Sequence, residues 1–135
     1  MAMFKEVNAF SGFSVKEIDE AIRFYENILG LEISRTMGQL VLHIAGGGTV
    51  FVYAKPNHVP ATFTVLNFPV INLQESMNEL RKRGIEFIIY KEDGFETDDQ
   101  GVFHGGGPRI AWFKDPSGNI LSVLEKGNAD EKRQY

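Results

Sequence analysis

The alternation of hydrophobic and polar positions divides the first half of the chain into one strand, one helix and three further strands. Apolar residues at helical spacing mark the helix over residues 16–29, and Gly30 is a typical residue to end it. The strand-like runs lie at residues 4–13, 31–37, 40–45 and 49–54. A glycine triplet, residues 46–48, joins the last two runs and predicts a hairpin turn.

The second half repeats this order after a linker that contains Pro56 and Pro60. Leu73, Met77 and Leu80 mark the helix. The strand-like runs lie at residues 62–68, 87–90, 110–114 and 120–125. A ferredoxin-like sandwich has only two strands after its first helix. Three strands after each helix therefore predict one βαβββ module in each half.

The two halves also resemble each other in sequence. Residues 15–22 are echoed by residues 70–77, and residues 30–33 return at residues 84–87 after one deletion. The echo keeps its hydrophobic phase across a helix, a glycine and a strand, which indicates a duplicated unit rather than two unrelated amphipathic helices. We predict an α+β fold with two βαβββ modules in tandem. The predicted boundaries are one domain over residues 1–126, with module 1 at about 4–55 and module 2 at about 62–125, and a polar tail over residues 127–135.

Composition and charge are ordinary for a soluble globular protein and exclude several classes of function. Of the 135 residues, 43% are hydrophobic, and no apolar run is long enough to span a membrane. A net charge of -4 without a basic stripe argues against a nucleic-acid partner. The chain has no cysteine, which excludes disulfides and thiolate chemistry. This absence and the lack of a leader segment predict a cytoplasmic protein.

Two motifs carry a resemblance to a known superfamily. Residues 21–32 read AIRFYENILGLE, close to A-x-x-F-Y-x-x-x-L-G, and residues 113–119 read FKDPSGN, close to F-x-D-P-x-G-N. On these motifs the chain resembles the vicinal oxygen chelate superfamily, which groups glyoxalase I, bleomycin and fosfomycin resistance proteins and extradiol dioxygenases. The resemblance covers about residues 4–125. It implies curved mixed sheets around a concave pocket, the cup.

The resemblance also implies where a metal site would lie. The superfamily's enzymes hold a divalent ion with four side chains, two per module, which are His, Gln or Glu. Counting five residues back from Val15 and Val70, and four forward from Gly48 and Gly118, places these positions in this chain. They are Phe10, Val65, Val52 and Ser122. Only the serine hydroxyl is a donor, so we expect no metal and no other cofactor. Whether the protein is an enzyme is left open.

The three histidines are weighed separately. His43 lies on an otherwise apolar strand and reads as a half-buried or edge residue, and His58 in the linker reads as solvated. His104 belongs to residues 91–108, a stretch too long for an inert hairpin loop and typical of a lid or binding loop. With Asp98 and Asp99 nearby, His104 is the candidate general base. A solvated loop residue is the alternative.

Alternation along the strands predicts which side chains line the cup. Neighbours two residues from the counted positions share their face, and this wall is mostly apolar and aromatic, as in pockets for organic molecules. The candidate ligand-binding residues are Phe10, Val52, Phe63, Val65, Asn67, Trp112 and Ser122. The alternative is that these side chains meet and fill the cup.

The sequence therefore favours a metal-independent protein of the bleomycin resistance type that binds a planar or aromatic organic compound. We also expect a homodimer, because each half leaves sheet edges and a concave face that one chain covers poorly. One alternative is a glyoxalase-type lyase, isomerase or dioxygenase that recruits metal through loop residues. Another is a dimeric scaffold or regulatory module.

Overall fold

The chain folds into two compact units, Met1–Val59 and Pro60–Tyr135, in a computed structural model that describes residues 3–127. The boundary between the units falls in the predicted linker. Each unit contains one four-stranded mixed sheet, which confirms the predicted α+β class. Of the predicted tail, residues 128–135 lie outside the described residues.

In the first unit one helical segment packs on a four-stranded sheet. The elements are β1 (Ser11–Val15), α1 (Ile18–Ile22), a π-helical continuation (Arg23–Ile28), β2 (Glu32–Thr36), β3 (Gln39–His43) and β4 (Thr49–Ala54). The strand order is β1-β4-β3-β2, with β1 parallel to β4 and the other pairs antiparallel. The helical segment ends at Gly30, whose φ of 74° is the conformation that favours glycine.

Strand β1 is shorter than predicted. Residues 4–10 precede it, and backbone bonds from Val7 N to Phe4 O and from Ala9 N to Val7 O bend this stretch into turns. Imperfect alternation in this region of the sequence is therefore a property of turns and not of an irregular strand. The core begins with the fully buried Val15. Phe13 is half-buried, and its ring centroid lies 6.0 Å from that of Tyr25 on the helical segment.

The second unit repeats this architecture and adds a small hairpin. Its elements are β5 (Thr64–Val70), α2 (Leu73–Lys82), β6 (Lys91–Glu92), β7 (Phe95–Glu96), β8 (Val102–Phe103), β9 (Ile110–Lys114) and β10 (Ile120–Glu125). The sheet order is β5-β10-β9-β8, and β6 and β7 pair with each other.

The predicted strand over residues 87–90 is wrong, because β8 occupies the edge of the sheet beside β9. Tyr90 is instead tied to the following loop. Thr97 N donates to Tyr90 O, and Tyr90 N donates to the Thr97 hydroxyl, at 3.0 Å in both cases. The apolar run FIIY has strand composition, and Ile88 N donates to Trp112 O of β9 at 2.8 Å, but this single bond does not extend into a ladder.

Helix α2 is held at its N-terminus by two side chains. Asn72 caps it, with Oδ1 accepting from Glu75 N at 3.0 Å. Glu125 of β10 accepts from Leu73 N at 3.2 Å and from Arg109 Nη2 at 2.7 Å. The Arg109 bond, followed by the Leu73 bond, holds the pKa of the Glu125 carboxyl below its usual value. These contacts place α2 on one face of the second sheet. None of the helices within residues 3–127 is long and apolar enough to cross a membrane.

Candidate functional site

The hairpin turns before β4 and β10 are equivalent. Their comparison corrects the metal-ligand position that was counted from Gly48. Residues 44–48 and 115–119 are each closed by a backbone bond of 2.9 Å between the first and last residue. The fourth residue of each turn is a glycine with positive φ, Gly47 at 101° and Gly118 at 88°. Gly47, and not Gly48, is therefore the counterpart of Gly118.

Counting four residues from Gly47 leads to Phe51 instead of Val52. Strand pairing agrees, since Phe51 lies opposite Val41 just as Ser122 lies opposite Trp112. Val52 is fully buried in the core of the first unit, and Phe51 points to the other face and is half-buried. The prediction that Val52 faces the cup is wrong, because three consecutive glycines allow three different counts.

A β-bulge in β5 lies at Val65, another of the counted metal-ligand positions, and changes which side chains of this strand share a face. Thr64 lies opposite Ile120 and Leu66 lies opposite Leu121, so Val65 is the extra residue. Regular alternation would put Phe63, Val65 and Asn67 on one face. The bulge instead brings Thr64 to the face of Asn67.

The residues at the four positions do not fit a divalent metal ion. Phe10, Phe51 and Val65 carry no nitrogen or oxygen donor on their side chains. Ser122 is fully buried and donates its hydroxyl proton to Asn67 Oδ1 at 2.5 Å. Within the described part of the chain, no group of three or more His, Asp or Glu side chains is arranged to hold a metal ion.

One face of the second sheet combines polar and aromatic side chains from three strands. We call the side opposite α2 the open face, defined by Thr64, Asn67, Trp112 and Ser122. Trp112 lies opposite Ser122, which lies opposite Asn67. The indole Nε1 of Trp112 donates to Thr64 Oγ1 at 3.0 Å, which fixes the plane of the ring.

Three rings from residues 90–103 surround Trp112. The centroids of Tyr90, Phe95 and Phe103 lie 5.5, 5.4 and 6.0 Å from that of Trp112. All four rings of this aromatic cluster are half-buried. Burial, followed by the charge of Glu92, raises the pKa of Tyr90. The predicted loop over residues 91–108 is thus partly folded, and two of its aromatic side chains, Phe95 and Phe103, pack against Trp112.

His104 and Asp98 form an exposed pair in the same loop. His104 Nε2 lies 3.0 Å from Asp98 Oδ2, and Asp98 Oδ1 accepts from the backbone N–H groups of Gln100 and Val102. Burial raises the pKa of Asp98, but the bonds from Val102, His104 and Gln100 outweigh it and the net shift is downward. The pair closes the turn that leads into β8. A catalytic role for His104 stays a prediction.

The other two histidines hold local structure. His43 is half-buried, as expected, and its Nε2 lies 2.8 Å from Ser34 Oγ. His58 is not simply solvated, because its Nδ1 lies 2.7 Å from Ser14 Oγ and the ring is half-buried. This bond ties the linker to β1.

Three of the predicted ligand-binding residues, Asn67, Trp112 and Ser122, come together on the open face. Phe63 is 68% exposed, and Phe10 and Val52 belong to the first unit. Sequence reasoning missed Thr64 and the rings of Tyr90, Phe95 and Phe103. The density of aromatic residues between positions 87 and 103 was the available signal for the rings.

Comparison with known families matches the chain to the Glyoxalase/Bleomycin resistance protein/Dioxygenase superfamily over residues 8–123. The match covers most of the chain, and the protein therefore belongs to this superfamily. Comparison with curated protein sequences finds no relative.

Solved structures share the fold at low sequence identity. The fosfomycin resistance protein FosX from Listeria monocytogenes is 17% identical with a TM-score of 0.65, covering 92% of this chain and 95% of its own. A glyoxalase family protein from Enterococcus faecalis is 22% identical with a TM-score of 0.63, covering 92% of this chain and 100% of its own. At these identities the comparisons establish the fold and leave the ligand open.

Proposed function

We propose that the protein binds a planar or aromatic organic compound at the open face of the second sheet, without a metal ion. The observation that carries the proposal is the half-buried indole of Trp112, which lies among three other rings, donates to Thr64 and shares a sheet face with Asn67. Mostly apolar walls with a few placed polar groups are typical of sites for small organic molecules.

Partial exposure is what makes the aromatic cluster suitable for binding. A flat ligand that covers these rings buries apolar area, and each favourable ring pair adds about 0.5–1.5 kcal/mol beyond that burial. Three of the four positions that hold metal in related enzymes carry no donor here, and the fourth, Ser122, is bonded to Asn67. The binding energy would therefore come from stacking, burial and hydrogen bonds.

The single tryptophan of the chain, Trp112, gives a direct test. Its indole N–H resonance should shift saturably when 2-ethylnaphthalene or 2-acetylnaphthalene is added, and EDTA should not change the affinity. Phe95→Ala removes one ring beside Trp112 and should weaken binding roughly 2- to 12-fold, the equivalent of one ring pair. The control is Ile71→Ala, at an apolar residue that is 86% exposed. Failure of both compounds to shift the resonance would reject the proposal and favour a scaffold.

We further propose a homodimer in the cytoplasm. The stretch before β1 exposes several large apolar side chains, which a second copy would cover. They are Met3, Phe4, Val7 and Phe10. Light scattering should give twice the 15.2 kDa chain mass, and the double variant Phe4→Ser, Val7→Ser should shift the protein towards monomer. The control is Val59→Ser, also at an exposed apolar residue. A monomer mass at every concentration would contradict the dimer.

A further inference from the structure

We infer that the open face selects planar compounds that carry an uncharged acceptor oxygen, such as a carbonyl group conjugated to a ring. This inference rests on the proposed function and names the class of ligand that the same site would take. It follows from which hydrogen-bonding protons on the face are already used.

Two of the donor protons on the open face are consumed inside the protein. A serine hydroxyl and an indole nitrogen each have one proton to donate. Ser122 gives its proton to Asn67 Oδ1, and Trp112 gives its proton to Thr64 Oγ1. Neither residue has a donor left for a ligand.

The remaining donors belong to Thr64 and Asn67. Oγ1 of Thr64 accepts from Trp112, so the hydroxyl proton of Thr64 is left over, and the amide nitrogen of Asn67 carries two protons. Within residues 3–127, neither group donates to another protein atom. Asn67 is exposed and Thr64 is half-buried, so a ligand on this face can reach both.

The spacing of these donors matches a single planar molecule. Thr64 and Asn67 lie opposite Ile120 and Ser122, two residues apart on β10, which puts them roughly 7 Å apart along the strand direction. A ligand that stacks on Trp112 displaces water from one or both donors. Because an unsatisfied donor that loses its water is costly, a ligand with an acceptor oxygen is favoured over a hydrocarbon of the same shape.

Charge distinguishes a carbonyl from a carboxylate. Residues 91–99, which supply Phe95 to the aromatic cluster, contain five acidic residues and one basic residue. The charge of Glu92 is felt by the Tyr90 hydroxyl. A negative ligand is therefore disfavoured beside the cluster, and the acceptor oxygen should be neutral.

The experiment compares three ligands of one ring system on the full chain by equilibrium dialysis. 2-Acetylnaphthalene should bind at least fivefold more tightly than 2-ethylnaphthalene, in which a methylene replaces the carbonyl. It should also bind more tightly than 2-naphthoate. Equal affinity of the acetyl and ethyl compounds would overturn the inference and leave the proposed function standing. Absence of binding by all three would overturn both.

Asn67→Asp assigns the preference to a residue. The aspartate still accepts from Ser122 but offers no donor, so the preference for the acetyl over the ethyl compound should fall severalfold. Asn57→Asp makes the same charge change at an exposed residue of the linker and should keep the preference. If Asn67→Asp does not fold, Thr64→Val is compared with unchanged Thr64 in a Trp112→Phe background, because Thr64→Val alone would free the indole N–H of Trp112 as a new donor. Full preference in both site variants would overturn the assignment to these donors.

Discussion

Replacing Phe113 with alanine should lower the free energy of unfolding by about 3–5 kcal/mol, the usual cost of deleting a buried ring. Phe113 is 1% exposed on β9, and its ring meets Phe87 edge to face at 5.8 Å. It also lies opposite the fully buried Leu121 of β10. The substitution leaves a cavity between the sheet and the segment that follows α2. Equilibrium urea unfolding followed by circular dichroism measures the loss.

Phe63→Ala is the matched control for this prediction. Phe63 is in the same unit but 68% exposed, and its removal should change stability by no more than about 0.5 kcal/mol. Similar losses in the two variants would show that burial of Phe113 does not stabilise the unit. A larger loss in Phe113→Ala than in Phe63→Ala would also show that the first residue of the FKDPSGN motif serves packing and not catalysis or binding.

Asp115→Ala should destabilise the protein by about 2–5 kcal/mol, because it leaves buried donors without a partner. Asp115 is 4% exposed. Its Oδ1 accepts from Ser117 N and Asn119 N, both at 2.9 Å, and its Oδ2 accepts from Asn119 Nδ2 at 3.0 Å. Asn119 is itself 2% exposed, so water cannot easily replace the carboxylate.

Two further variants isolate the role of the Asp115 carboxylate. Asp115→Asn keeps one acceptor oxygen but turns an amide towards Asn119 Nδ2. Its free energy of unfolding should lie between that of the wild type and that of the alanine variant. Asp99→Ala removes an exposed acidic residue of the same unit and should have little effect. Urea unfolding of all three decides the matter. If Asp115→Ala loses no more than Asp99→Ala, the turn does not depend on these bonds.

Hydrophobic periodicity was sufficient to predict the helices and hairpins because the residues that form each of them are close together in the sequence. Leu73 and Met77 are both buried on α2, and Gly30 ends the first helical segment as expected. The segment over residues 87–90 failed because its composition suits a strand as well as any true strand of the chain. The choice between it and β8 depends on where Tyr90 and Thr97 find hydrogen-bond partners, which is a tertiary question.

The candidate site was predictable only where motif and alternation coincide. Ser122 follows from the turn motif, and its strand partners Trp112 and Asn67 lie on its face. The choice of Val52 was wrong because the count starts from a turn glycine, and three consecutive glycines precede β4. Thr64 was missed because it reaches this face only through the bulge at Val65, which the local composition does not predict. Loop folding, rather than strand alternation, brings the other rings to Trp112.

The bulge at Val65 has a consequence for how this chain can tolerate changes in length. Removing one residue from a regular strand turns every side chain on one side of the deletion to the opposite face. Val65 is already unpaired in the ladder, so its loss would leave Thr64 opposite Ile120 and Leu66 opposite Leu121. Loss of this one residue of β5 during divergence would therefore leave the chemistry of the two faces unchanged.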